Sequence, residues 1–284
     1  MPLSQADIRE RYELEWSEKS ASAGVKEDLK YSSPVEDRLL YPAYTELLKR
    51  HNIGVGGRDV LDVGSGCGRW VGFFARQFIP VPASITGIDY TLASVDLLRK
   101  WWGDSTGRGT ALCFRHASIT ESGLDLGQKF DLINIANVLF HVPEDDDFCT
   151  ALANLRRHLK PGGRIITTEY LPRQSMRTEW MLVRSRYEFT ELCLAAGLQV
   201  DAVRAFCYFA NDPMGIDGPD MGARADFYRV RSRADQLLAS AQGATREFLV
   251  EMLADIDRAA LNYSRERVAE IDLPSQKLVL LSAV

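Results

Sequence analysis

The run Val60-Leu61-Asp62-Val63-Gly64-Ser65-Gly66-Cys67-Gly68-Arg69-Trp70 holds the residues whose types and spacing point most directly to chemistry. An apolar stretch delivers Gly64, Gly66 and Gly68 at alternate positions and then gives way to an amphipathic segment, the pattern of strand, tight turn and helix. Glycines at such a turn let the backbone bend sharply and let a ligand lie against bare main chain. Dinucleotide-binding turns share this spacing, so the neighbouring residues must discriminate. A pyrophosphate fingerprint wants a small residue three positions after its second glycine, and this sequence has Arg69 there. Asp62, two residues before the first glycine, is poorly placed for a diphosphate and well placed for a cation. A second acid, Asp89, closes the next apolar run about twenty residues beyond the turn, where a carboxylate can accept from both ribose hydroxyls. Tyr90 follows it and joins the same candidate pocket. The ligand these residues specify is a nucleoside with a positive group and no phosphate.

Further candidates follow the later apolar runs. Asn137 and His141 come after Phe130–Ala136, at the carboxyl edge where ligands of open α/β sheets bind. Asn137 is expected beside the cofactor. His141, with an ordinary pKa near neutrality, is the first candidate for a general base and for acceptor contact. Glu169 is the second candidate base, and Tyr170 beside it is an acceptor contact. The acidic run Glu144–Asp147 fits the positive end of a helix dipole, so no metal site is expected. Trp101 and Trp102 are read as helix packing, and the alternating arginines and aspartates from Arg224 to Asp235 as a solvated helix face that could contact an anionic substrate.

These residues need a scaffold of short apolar runs separated by amphipathic segments. Runs beginning near Asp59, Ser84, Ala111, Phe130 and Arg164 read as strands, with helices near 69–78, 92–102 and 144–159, the last stopped by Pro161-Gly162-Gly163. Such alternation predicts parallel strands joined by crossover helices. A helix at 187–196, a strand near 198–208 and a terminal strand in Lys277–Val284 complete the pattern. The expected organisation is a helical N-terminal cap segment (1–55), a nucleotide-binding core (56–210), a helical insertion acting as cap or lid (211–274) and a final core strand (275–284). Within the insertion, Phe227, Val230, Ala234 and Leu238 share one helical face, and Phe248, Met252, Ile256 and Tyr263 share another.

Composition bounds the function. The chain has 284 residues, 46% hydrophobic and 26% charged, enough for a sizeable core. Its formal net charge of −5 supplies no basic field, so nucleic acid is not an expected partner. The five cysteines show no CxxC pairing, which predicts reduced thiols and a cytoplasmic location. No apolar signal core or membrane-length run occurs, so no membrane association is expected.

With these motifs in hand, the sequence resembles the class I SAM-dependent methyltransferases, which use S-adenosylmethionine (SAM). The glycine-rich motif is similar to Leu61–Gly68, the ribose acid to Asp89, the motif after strand four to Phe130–Val142, and the turn before strand five to Lys160–Gly163. The resemblance covers about residues 55–210 and the last strand. It implies an α/β fold with a seven-stranded doubly wound sheet of order 3-2-1-4-5-7-6, the last strand antiparallel. It also implies SAM as cofactor and S-adenosyl-L-homocysteine (SAH) as product. Many members carry an acid after strand three to meet the adenine amine; here stand Ala117, Ser118 and Ile119, so adenine contact is expected from the Ala117 or Ser118 backbone or the Ser118 hydroxyl, with Ile119 against the ring. The expected acceptor is a small molecule such as a sugar, natural product or other metabolite, methylated on oxygen or nitrogen. The alternatives are a protein or peptide methyltransferase and a SAM-binding scaffold without turnover.

Overall fold

The computed structural model describes residues 5–22, 33–105, 108–216 and 221–284. Residues 1–4 and 23–32 of the expected N-terminal segment, and 217–220 of the expected insertion, lie outside the described residues.

The helices are α1 (Gln5–Ser22), α2 (Pro34–Arg50), α3 (Arg69–Gln77), α4 (Leu92–Trp102), α5 (Asp145–Arg157), α6 (Arg186–Ala195), α7 (Met221–Ser240) and α8 (Gly243–Arg265). Strands β1 (Asp59–Val63), β2 (Ser84–Asp89), β3 (Ala111–His116), β4 (Phe130–Ile135), β5 (Leu159–Glu169), β8 (Leu198–Ala205) and β9 (Lys277–Ala283) form one seven-stranded sheet. Its order is β3-β2-β1-β4-β5-β9-β8, with β9 antiparallel to both neighbours and the pairs among β1 to β5 parallel. This is the expected doubly wound sheet. The chain also forms an unanticipated hairpin of two-residue strands, β6 (Met176–Arg177) and β7 (Leu182–Val183).

The central strands are apolar on both faces because helices cover both. Tyr44, Trp70, Phe73 and Phe74 build the core on one side; Leu61, Ile133, Phe148 and Phe189 belong to the core on the other. Lys160–Gly163 departs from the expected boundary between helix and strand. Strand β5 already begins at Leu159, opposite Phe130, and pairing shifts register before Arg164 meets Leu132. The Pro-Gly-Gly stop therefore sits inside an interrupted strand.

Local chemistry fixes the covering helices. Ser33 caps α2 by accepting from the Glu36 amide at 3.1 Å, and Pro34 supplies the fixed first helical position. The Glu13 carboxylate of α1 accepts from the amides of Leu92 and Ala93, satisfying the N-terminus of α4, whose own Thr91 makes no side-chain cap bond. Asp257 of α8 is fully buried and accepts from the amides of Tyr208, Phe209 and Ala210. It thereby ties the exit of β8 to the helical insertion.

That carboxylate also overturns the expected face of α8. The buried residues are Val250, Ala254, Asp257, Leu261 and Ser264, whereas Phe248 (66% exposed), Met252, Ile256 and Tyr263 face outward. Two of the buried positions are polar, which hides this face from a search for apolar periodicity. In α7, Leu238 is buried and Phe227 packs against Tyr208, but Val230 points outward.

Candidate active site

The glycine turn joins β1 to α3 and is shaped by its neighbours. The amides of Gly64 and Ser65 both donate to the Ile88 carbonyl, the Gly66 amide to Asp89 and the Gly68 amide to the Ser65 carbonyl. These four amides are all occupied within the turn and its neighbouring strand. Gly64 and Gly68 have φ of +68° and +81°. A Cβ on Gly64 would stand 2.4 Å from Val138, and one on Gly68 would stand 2.4 Å from Trp102 Nε1. Gly68 thus serves the packing of α4 against the turn and does not line the cavity. Trp102 has the packing role expected of it.

A cavity of about 390 Å³ opens over this turn. Of the residues singled out in the sequence, Gly64, Gly66, Asp89, Tyr90, Ala117, Ser118, Ile119, Asn137, His141 and Tyr170 line it. Asp62, Gly68 and Glu169 do not.

Asp62 is fully buried at the end of β1, in register with Gly87 of β2 and Asn134 of β4. Tyr44 of α2 donates to Asn134 Oδ1 at 3.1 Å, and Asn134 Nδ2 donates to Asp62 Oδ1 at 2.8 Å. Asp62 Oδ2 has no hydrogen-bond partner. Burial pushes this carboxyl up to about 7. A buried acid with an orphaned oxygen is costly when ionised unless a positive charge lies nearby. Asp62 thus lies behind the cavity wall and not in its lining, where a direct contact had been expected.

Asp89 fits the ribose position with less spare capacity than expected. Its Oδ1 accepts from the Thr91 amide and hydroxyl, and its Oδ2 from the Gly66 amide at 2.9 Å. A carboxylate offers about four acceptor directions, so one is left for a sugar hydroxyl where two were expected. Asn137 has φ of +60°, and its Oδ1 accepts from Thr168 and from Gln276 at 2.7 Å. Its amide nitrogen is left as the polar group to offer a ligand.

At the adenine end, Ala117, Ser118 and Ile119 are joined by Thr120, which sequence reasoning missed. Arg9 of α1 donates to both Ser118 and Thr120. Tyr12 and Trp16 of the same helix also line the cavity, so one face of α1 forms part of its roof.

The two candidate bases fare differently. The Tyr12 hydroxyl lies 3.0 Å from His141 Nδ1 and 3.2 Å from Nε2, and His141 also makes a backbone hydrogen bond with Trp180. Desolvation lowers the imidazole to about 4, so it is neutral at pH 7. Glu169 accepts from Thr167 at 3.0 Å, on the β5 face turned away from the cavity. Burial raises it to about 8, and Arg184 only partly offsets this. The geometry does not place it as an acceptor base.

The other half of the cavity was largely invisible in the sequence. Glu36 of α2, Arg69 and Trp70 of α3, Tyr170, and Asn211, Asp212 and Arg231 line it together. Tyr170 donates to Asn211 Oδ1 at 3.1 Å, and Arg231 pairs with Asp212. Arg69, singled out only for what it excluded, pairs with Asp37 and Glu36. The acidic run is likewise engaged: Asp145 pairs with Arg184, and Glu144 with Arg177. Among the described residues, no helix is long and apolar enough to cross a membrane.

Comparison with known proteins agrees with this geometry. The methyltransferase domain family matches residues 60–163. A ubiquinone biosynthesis O-methyltransferase of Aromatoleum aromaticum is 29% identical over 114 residues, 40% of this chain and 44% of that protein. The chain thus spans about half the length of the curated relatives it matches. Among solved structures, the [4+2]-cyclase SpnF shares the fold with a TM-score of 0.58 at 15% identity, over 99% of this chain and 97% of its own. The magnesium protoporphyrin IX methyltransferase of Synechocystis PCC 6803, solved with bound SAM, has a TM-score of 0.50 at 14% identity, over 72% of this chain and 91% of its own. Sheet, turn and matched segment together define a class I SAM-dependent methyltransferase domain with a Rossmann-like fold. Its cofactor is S-adenosylmethionine.

Proposed function

We propose that the protein transfers the methyl group of SAM to a small-molecule acceptor. The observation that carries this reading is the continuity of one cavity: the glycine turn and Asp89 lie at one end, and an aromatic and polar chamber under α1, α2 and α7 lies at the other. SAM brings an already activated methyl group. The chain's own residues have to align the acceptor, exclude water and dispose of its proton. Tyr12 and Trp16 cover the pocket, Asn137 offers its amide nitrogen, and Phe140 and Tyr170 wall the acceptor side. His141, neutral and held by Tyr12, serves to shape the floor. The relatives named as ubiquinone biosynthesis O-methyltransferases support a metabolite over a peptide strand.

A second reading, a SAM-binding protein that does not transfer methyl groups, draws on the cyclase that shares the fold along nearly the whole chain. Calorimetry with SAM and SAH tests the cofactor site. Incubation with methyl-labelled SAM and a small-molecule extract of the native host, read by mass spectrometry, tests transfer. Labelled small molecules are expected. Binding of SAH with label appearing in no small molecule would overturn the transferase reading.

A further inference from the structure

The end of the cavity formed by Ala117, Ser118, Ile119 and Thr120 is short of acceptors. The acids in the cavity lining are Asp89 at the turn and Glu36 and Asp212 in the other half. Arg9 of α1 also lines the cavity, and its Nη2 donates to Ser118 Oγ at 3.1 Å and to Thr120 Oγ1. The Thr120 amide donates to Ser118 Oγ at 3.3 Å, so both lone pairs of that hydroxyl are taken. Its proton therefore goes to Thr120 Oγ1, 2.9 Å away. Thr120 Oγ1 then accepts from Arg9 and from Ser118, and its own proton is left to give.

The backbone repeats the pattern. The Asp89 carbonyl accepts from the Ala117 amide, the Ser118 carbonyl from the Glu121 amide, and the Ile119 carbonyl from Asn154 Nδ2 at 2.6 Å. The Tyr90 carbonyl accepts from His116 Nε2 at 2.9 Å. A guanidinium carries five N–H donors and no acceptor, and one nitrogen of Arg9 serves both hydroxyls. Its Nε and Nη1 hold three more N–H groups, with no hydrogen bond or ion pair among the described residues. This end of the cavity therefore offers a ligand donors, from Arg9 and the Thr120 hydroxyl. The Ser118 hydroxyl, expected from sequence to contact adenine, is fully engaged.

A purine presents both senses: the ring nitrogens of adenine accept, and its 6-amino group donates. We propose that Arg9 selects the base by donating to the acceptor edge of the purine, so that the 6-amino group is not what the site reads. A 6-oxopurine, with an acceptor where adenine has its amine, is then received about as well. A site built around the amine would reject that ligand strongly, because its buried acceptor would lose its donor. The inference rests on SAM as the cofactor with its base at residues 117–120, and it does not depend on which acceptor is methylated.

Calorimetry on the full chain compares SAH with S-inosyl-L-homocysteine, which differs only in a 6-carbonyl and a proton on the neighbouring ring nitrogen. The wild type is expected to bind the two within about fivefold of each other. Arg9→Glu exchanges donors for an acceptor and should shift the affinity ratio at least tenfold toward SAH. Arg9→Met removes the donors alone and should weaken both ligands, the inosyl compound more. If Arg9 only held α1 to Ser118 and Thr120, both variants would weaken the two ligands equally and leave the ratio unchanged. An inosyl compound more than about fivefold weaker on the wild type would show that an acceptor, such as the Ala117 carbonyl, reads the amine, and would overturn the proposal. An unchanged ratio in Arg9→Glu overturns it too, and should that variant fail to fold, the ratio in Arg9→Met decides. If the wild type fails to bind SAH, the cofactor site and this inference fall together. If SAH binds and no methyl group is transferred, only the transferase reading falls.

Discussion

Replacing Asp62 by Asn should make the protein more stable at pH 8, less stable at pH 4.5, and poorer at holding its cofactor. The native carboxyl is raised from an ordinary 3.8 to about 7 by burial. At about 1.4 kcal/mol per decade, this is a folding penalty of at most about 4 kcal/mol when fully expressed. The sign follows from which state is ionised. Below about pH 4 the carboxyl is protonated in both folded and unfolded chains, so no penalty exists. Between about 4 and 7 only the unfolded chain ionises, stability falls, and above about 7 the whole penalty is present. Asparagine abolishes this pH dependence. It keeps an oxygen for Asn134 but puts an amide nitrogen where Asp62 Oδ2 has no partner, costing about 1–3 kcal/mol at every pH. The balance is a gain of about 1–3 kcal/mol at pH 8, a few degrees in melting temperature, and a loss of about 0–2 kcal/mol at pH 4.5, where the native acid already carries about 1 kcal/mol of its penalty. For the cofactor, loss of a carboxylate that faces the ammonium at an effective dielectric of about 20 is worth roughly 1–4 kcal/mol, so SAH affinity at pH 8 should fall about tenfold or more. Thermal denaturation at both pH values and calorimetry with SAH read the two effects. Unchanged SAH affinity at pH 8, or the same destabilisation at both pH values, would refute the reasoning.

Three further substitutions or titrations probe other parts of the site. Tyr44→Phe removes the donor to Asn134 Oδ1 in a fully buried position and should cost about 1–3 kcal/mol in urea unfolding, with weakened SAH binding as Asp62 loses its support. Gly68→Ala forces a Cβ against Trp102 at φ of +81° and should destabilise by about 1–3 kcal/mol, while SAH affinity of the folded fraction holds because Gly68 lies outside the cavity wall. His141, lowered to about 4 by desolvation, should titrate by NMR below pH 5, and the pH profile of SAH binding should show no inflection near 6.5 that His141→Asn removes.

The strand-turn-helix around Gly64 and the sheet that carries it were legible because each rests on local pattern. Apolar runs of strand length mark buried parallel strands, and glycine marks positive φ. The helical roof was legible as helices but less so in its facing. In α8 the burial of Asp257 follows from three amides of a segment roughly fifty positions away, which no local periodicity encodes. Glu169 failed for a simpler reason. Side chains alternate along a strand, so Thr168, which bonds Asn137 at the cavity, and Glu169 must face opposite ways. Counting back from Thr168 would have excluded Glu169. Glu36 and Asn211 gave no signal, since an acid in the first turn of a helix and an asparagine in a turn-rich segment are ordinary in isolation.

On the proposed reading, most of the acceptor half of the cavity lies outside the segment that relatives match, and this bears on what relatives can teach. The matched domain runs from 60 to 163 and contains the glycine turn, Asp89, the adenine-side residues, Asn137 and His141. Glu36, Tyr170, Asn211, Asp212 and Arg231 lie outside it, as do Arg9, Tyr12 and Trp16 of the roof, whereas Arg69, Trp70 and Phe140 lie inside it. Similarity to the ubiquinone-pathway enzymes over about half their length therefore says little about the acceptor wall. That wall is built by helices α2 and α7 and the exit of β8, which Asp257 anchors to α8. Helix α2 reaches the cofactor turn by two routes: the Tyr44–Asn134–Asp62 relay runs beneath the cavity, and the pairing of Glu36 and Asp37 with Arg69 holds the residue that follows Gly68, so a change in α2 that alters the acceptor wall also bears on the turn.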